Sequence, residues 1–202
     1  MQELSGGFPA QALTPDARWL VERLQAVDRR LTHPVCLRVY GSVAVSLYLA
    51  DDLAQPYSGY TDDVDYCPAS TERGLADVLR AATPPLTPSL EFRPSQIELW
   101  LIHPDWKDAL CDVSGFVGLK KLQLLLVSPR DLVLTKLERY SERDASDCYR
   151  IAQRYLAPSS FLDDLDEALA YAVIAPRKVK RILEAARYDL FPDAFPWPDA
   201  LS

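Results

Sequence analysis

The chain has 202 residues, a formal net charge of −7 and an isoelectric point near 4.9. Hydrophobic residues make up 49% of it and charged ones 25%, a balance that supports a sizeable core and excludes a disordered chain. Its acidity excludes wholesale, non-specific binding of nucleic acid, while a local basic surface could still hold one nucleotide or one RNA end.

Residues 1 to 13 read as a loose lead-in without the positive and apolar regions of a signal peptide. Thr14-Pro15-Asp16 then offers an N-cap, a proline at the first helical position and an early acid. Trp19, Leu20, Val21, Leu24, Val27 and Leu31 follow at helical spacing. Val35 to Tyr40 predicts a strand that Gly41 breaks, and a helix is expected from Ser42 to about Ala50. A polar loop with Pro56 and Gly59 leads to a second strand around Val64 and Tyr66. A helix over Glu72 to Ala82 and a proline-rich connector from Pro84 to Pro94 come next. Ile97, Leu99 and Leu101 alternate with polar or aromatic neighbours, which predicts a strand with Glu98 in its middle. The apolar run Leu122 to Val127 predicts an interior strand. Ser128-Pro129-Arg130-Asp131 then opens a helix, and helical patterns dominate to about Tyr188, with breaks near Pro158 and Pro176. Phe191 to Ser202 reads as an irregular tail.

This order predicts an α/β (α+β) protein, a mixed sheet flanked by helices over residues 1–127 and a helical part over 128–202 that packs on the core and lines its cleft. Cys36, Cys67, Cys111 and Cys148 form no CxxC pair, so neither a structural zinc site nor a disulfide framework is expected. No apolar stretch is long enough to span a bilayer. The expected location is therefore cytoplasmic, without a membrane partner.

The segment from Arg38 to Tyr66 carries the chemistry. Glycine at position 41 lets the backbone approach a ligand, and Ser42 falls at a helix start, where unsatisfied N–H groups favour phosphate. In Thr61-Asp62-Asp63-Val64-Asp65, Asp63 and Asp65 are two apart on a strand and so project to one face. Paired carboxylates repel unless a cation bridges them, and a magnesium-like ion with its taste for oxygen ligands suits that place.

The Gly-Ser turn followed by Thr-x-Asp-x-Asp resembles the nucleotidyltransferase superfamily, and within it the AbiEii-like abortive-infection toxins. The resemblance implies that Gly41, Ser42 and Thr61 hold a nucleoside triphosphate and that Asp63 and Asp65 bind Mg2+ or Mn2+. A third acid is expected from a later strand, Glu98 first and Asp112 second. The stretch from Ser128 through Lys136, Arg139, Arg143, Asp144 and Asp147 is similar to the second motif of those families. On an unbroken helix, Lys136, Arg139, Tyr140 and Arg143 share one face suited to phosphate. Two features depart from the pattern: Gly59 stands where relatives carry arginine, and the Ser42-to-Asp63 spacing is longer.

The resemblance thus implies transfer of a nucleoside monophosphate to an RNA (such as tRNA), a protein or a small molecule, in a toxin–antitoxin or phage-defence setting with an antitoxin partner. The alternatives are a nucleotide- or partner-binding protein that keeps the fold without turnover, and a magnesium phosphohydrolase that uses the same aspartates and releases inorganic phosphate. Arg177, Lys178, Lys180, Arg181 and Arg187 make a late basic cluster, read either as a solvated helix face or as a receiver of RNA phosphates.

Overall fold

The computed structural model describes residues 13–57, 62–68, 74–85 and 90–195. The chain divides into two compact units, Met1–Ser95 with Leu110–Val127, and Gln96–Ala109 with Ser128–Ser202.

The first unit holds a five-stranded mixed sheet, as the α/β reading requires. Its strands are β1 (Val35–Val39), β2 (Asp63–Cys67), β3 (Glu91–Pro94), β4 (Cys111–Asp112) and β5 (Leu122–Leu126), in the order β3-β2-β1-β5-β4. β1 runs antiparallel to β2 and parallel to β5, β2 is parallel to β3, and β4 is antiparallel to β5. Registry sorts the side chains onto two faces. Val35, Leu37 and Val39 align with Leu122, Leu124 and Leu126, and Val39 with Tyr66, making an apolar face whose members are at most 4% exposed. The opposite face carries Cys36 and Arg38, Asp63 and Asp65, Glu91 and Arg93, Gln123 and Leu125, and Asp112.

Helix α1 (Pro15–Arg30) begins where Thr14 Oγ1 accepts the Ala17 N–H, with Pro15 at its first position. Ala17, Leu20, Val21, Leu24 and Val27 form its buried stripe. Near its end the buried Asp28 accepts the backbone N–H groups of Lys120, Lys121 and Leu122 with one carboxylate oxygen, at 3.0, 2.6 and 2.7 Å. Burial opposes ionisation there, but those three donors outweigh it and hold the carboxyl below the usual range. The start of β5 is thereby tied to α1. Helix α2 (Gly41–Tyr48) follows β1 without a connecting loop, and Tyr48 Oη donates to the Val127 carbonyl at 2.8 Å. Helix α3 (Leu75–Ala82) starts three residues later than expected, after Gly74 at φ +82°.

Two sequence expectations are corrected in this region. The connector over 84–94 contains β3, because Leu90 and Phe92 alternate with Glu91 and Arg93 and pair beside β2. The strand expected at 96–101 is instead a 3-10 turn over Ile97–Leu99. Its most buried residues, Ile97 and Leu101, are four apart, which is a helical spacing rather than a strand spacing.

The second unit is helical: α4 (Pro129–Arg139), α5 (Glu142–Tyr155), α6 (Pro158–Tyr171) and α7 (Pro176–Glu184), the last running into a π-helical turn over Ala185–Asp189. Proline opens α4, α6 and α7, where its missing N–H costs nothing. Ser128 caps α4 by accepting the Asp131 N–H at 3.1 Å. Ser141 and Asp144 form a reciprocal capping box at α5. Among the described residues no helix is long and apolar enough to cross a membrane.

Candidate functional site

The site begins where β1 ends. Gly41 has a φ of +72°, a left-handed conformation that glycine adopts without strain. A Cβ placed there would lie 3.0 Å from Asp65 Oδ2, so the absent side chain is also what lets the bend close onto that carboxylate. The Tyr40 N–H donates to the Asp65 carbonyl at 3.2 Å and fixes the two segments together. Ser42 occupies the first turn of α2, which has no side-chain cap, so its leading N–H groups face the bend. Thr61 and Gly59 lie outside the described residues.

Asp63 lies two residues before Asp65 and shares its face. Burial raises the Asp63 carboxyl above its usual range; Arg93 opposes this, and Asp62 and Glu91 add to it. Arg93 Nη1 is 2.8 Å from Asp63 Oδ2, while its Nη2 and Nε donate to Glu91 Oε2 at 2.7 and 3.2 Å. Glu91 is the direct register partner of Asp63, and Arg93 that of Asp65. β3 therefore brings one acid and one base beside the aspartate pair. Sequence reasoning missed both, although the short alternation from Leu90 to Arg93 was there to be read.

The expected third acids stand elsewhere. Glu98 belongs to the second unit, ion-paired with Lys107 at 3.3 Å and lining a cavity of about 620 Å3 with Trp100, Trp106 and Tyr171. It is not on the sheet. Asp112 is on the same sheet face as the aspartates but at the far edge, three strand steps away, roughly 14 Å at the usual inter-strand spacing. Its carboxylate accepts from Ser114 Oγ at 2.6 Å and Gln123 Nε2 at 3.0 Å. Burial would raise its pKa, but those bonds, led by Gln123, lower it.

The helical stripe of the second motif is also redrawn. The helix breaks at Tyr140, which takes φ +45° as the cap of α4, so Lys136, Arg139, Tyr140 and Arg143 do not form one continuous face. Lys136 is buried, with its ammonium 3.2 Å from Asp144 and 2.8 Å from Asp147. Arg139 donates to both Asp144 oxygens at 2.8 Å. Burial pushes the Asp144 carboxyl up, yet Arg139, Ser141 and Lys136 together hold it far below its ordinary value. Arg143 is exposed in the first turn of α5. In the late basic cluster, Lys178 pairs with Glu138, Lys180 with Glu184, and Arg181 donates to the Arg139 carbonyl.

Among the described residues no group of three His, Cys, Asp or Glu side chains converges as a metal cluster. The two aspartates nonetheless fit a magnesium-like ion, which commonly takes one or two carboxylates and fills its shell with water and substrate phosphate.

A family model described as a nucleotidyltransferase of unknown function (DUF6036) matches residues 19–191. No curated protein and no solved structure matches the chain.

Proposed function

We propose, from the premise that the chain belongs to this family of nucleotidyltransferases of unknown function, that it transfers a nucleoside monophosphate from a nucleoside triphosphate at the Gly41–Asp65 bend. The observation that carries the reading is the closure of Gly41 onto Asp65, which sets the start of α2 against a strand bearing two carboxylates on one face.

In this reading the first turn of α2 receives phosphate oxygens through its leading N–H groups and its dipole. Asp63 and Asp65 would hold Mg2+ or Mn2+, which supplies neutralisation of phosphate charge. An acceptor hydroxyl attacks the α-phosphorus, its oxygen forms the new P–O bond, and the bond to pyrophosphate breaks. The hydroxyl proton passes to a carboxylate on this face or to solvent. The protein contributes position and charge, the usual share in phosphoryl transfer. An RNA end, a protein side chain or a small molecule would serve as acceptor. The AbiEii-like likeness adds a toxin or phage-defence setting with an antitoxin partner.

One observation favours a second reading. Arg93 already neutralises Asp63 and Glu91, as expected of a fold that binds nucleotide without turnover. Incubation with each α-labelled nucleoside triphosphate, magnesium and total cellular RNA or protein separates the two. Transfer is expected in the wild type, with pyrophosphate released, and none in Asp63→Ala/Asp65→Ala. Binding without pyrophosphate release favours the second reading, and label transfer that survives the double substitution rules out the mechanism.

A further inference from the structure

The aspartate pair has a second arginine on its other side. β1 lies next to β2, and Arg38 is the register partner of Cys67, which shares its face with Asp65 two residues earlier. Arg38 therefore stands on the polar face, three residues before Gly41 and roughly 10 Å along the strand from the bend, a span that a long side chain and a triphosphate tail bridge together.

Arg38 and Arg93 differ in how they are engaged. Arg93 is held by Glu91 and Asp63. Arg38 is half-buried, its Nε is buried without a hydrogen-bond partner, and it makes no ion pair among the described residues. A guanidinium is always charged and offers five donors in a planar fork. Leaving one partly desolvated and unmatched is costly, so such a group marks a place where an anion or ordered water belongs. Asp112, on the same face, is already bonded to Ser114 and Gln123 and stands two strands away from β1. The neighbours of Arg38 along β1 and on β5, Cys36, Gln123 and Leu125, carry no charge, and the nearest carboxylate on the β2 side of the face is Asp65.

We propose that Arg38 is an anion-binding residue of this site and grips the pyrophosphoryl end of the nucleoside triphosphate. The inference rests on the nucleotide reading of the same face and adds the residue that fork-bonds the phosphates. The fork matches phosphate geometry, and the partly buried position strengthens each charge-assisted bond. Asp65 keeps the carboxylate function; Arg38 acts on binding.

The test is calorimetric titration with magnesium pyrophosphate and with a non-hydrolysable nucleoside triphosphate analogue. Wild type, Arg38→Gln and Arg38→Lys are compared, with thermal unfolding as the check on folding. Arg38→Gln is expected to bind at least about 10-fold more weakly, and Arg38→Lys, which keeps the charge and loses the fork, to fall between. Unchanged affinity in Arg38→Gln, with the wild type binding, overturns this inference alone. Failure of the wild type to bind either probe overturns the nucleotide reading as well. A second measurement needs no variant. Phenylglyoxal labelling of the wild type, mapped by mass spectrometry, should show Arg38 protected by magnesium pyrophosphate while the exposed Arg80 reacts equally in both samples. Equal labelling of Arg38 with and without pyrophosphate overturns the proposal.

Discussion

Gly41 answers to two independent demands at one Cα. Its φ of +72° costs any side-chain-bearing residue about 1–2 kcal/mol, and a Cβ would press on Asp65 Oδ2 at 3.0 Å. The two demands have different consequences. Backbone strain lowers stability, whereas displacement of Asp65 changes the face on which phosphate and cation would meet. Gly41→Ala is therefore expected to lose about 1–2 kcal/mol in chemical denaturation. Its nucleotidyl transfer should fall on the order of 100-fold, because misplacement near 1 Å is enough for such a loss. A variant that loses stability and keeps full transfer would show that the contact with Asp65 has no functional weight. Asp63, Asp65 and Gly41 were legible in the sequence because strand periodicity alone puts the acids on one side and glycine alone marks the bend. Glu91 and Arg93 were not, nor was the place of Arg38 on the same sheet face, since each depends on which strands neighbour β2, a long-range fact that local spacing does not encode.

At the level of elements, the junction of α4 and α5 shows how a break in a helix redraws the face that a motif is read to form. The sequence puts Lys136, Arg139, Tyr140 and Arg143 on one face of an unbroken helix, with Asp144 and Asp147 in the same motif. Tyr140 in the left-handed region ends α4, and the Ser141–Asp144 capping box starts α5 at once. This turn folds Asp144 and Asp147 back onto Lys136, all three at most 4% exposed. The ammonium then joins two helices instead of lining one face. Lys136→Met removes the ammonium that Asp144 and Asp147 share and leaves Arg139 as the cation paired with Asp144, and breaking a buried pair in this way costs about 3–5 kcal/mol. The expected result is a fall in the unfolding midpoint, with partial recovery in Lys136→Met/Asp147→Leu, where one uncompensated charge is also removed. An unchanged midpoint in the single variant would release Lys136 for the phosphate role that its motif first implied. The same lesson holds for β3 and the turn at Ile97–Leu99. The long periodic helices declared themselves, whereas a four-residue strand and a single 3-10 turn are too short for periodicity to decide between them.

For the molecule as a whole, the net charge of −7 and the acids of the polar face set the terms on which a triphosphate approaches. Asp63, Asp65 and Glu91 repel it, and Arg93 offsets part of that repulsion through its pairs with Asp63 and Glu91. A divalent cation shared between carboxylates and phosphates removes the repulsion on both sides, so metal and nucleotide should stabilise the fold together and not singly. A ligand that binds only the folded chain at about 100 times its Kd adds about 2.7 kcal/mol. For a chain of this size that corresponds to a rise in Tm of roughly 5–10 °C. Differential scanning fluorimetry should show that rise with magnesium and nucleoside triphosphate together. Triphosphate with chelator should give little, and so should the pair added to Asp63→Ala/Asp65→Ala. A full rise in the presence of chelator would mean that the phosphates are held by N–H groups and arginine alone, and the aspartates would then need another explanation. The comparison also separates the site from bulk electrostatics, because magnesium acting only on surface charge would stabilise the double variant as much as the wild type.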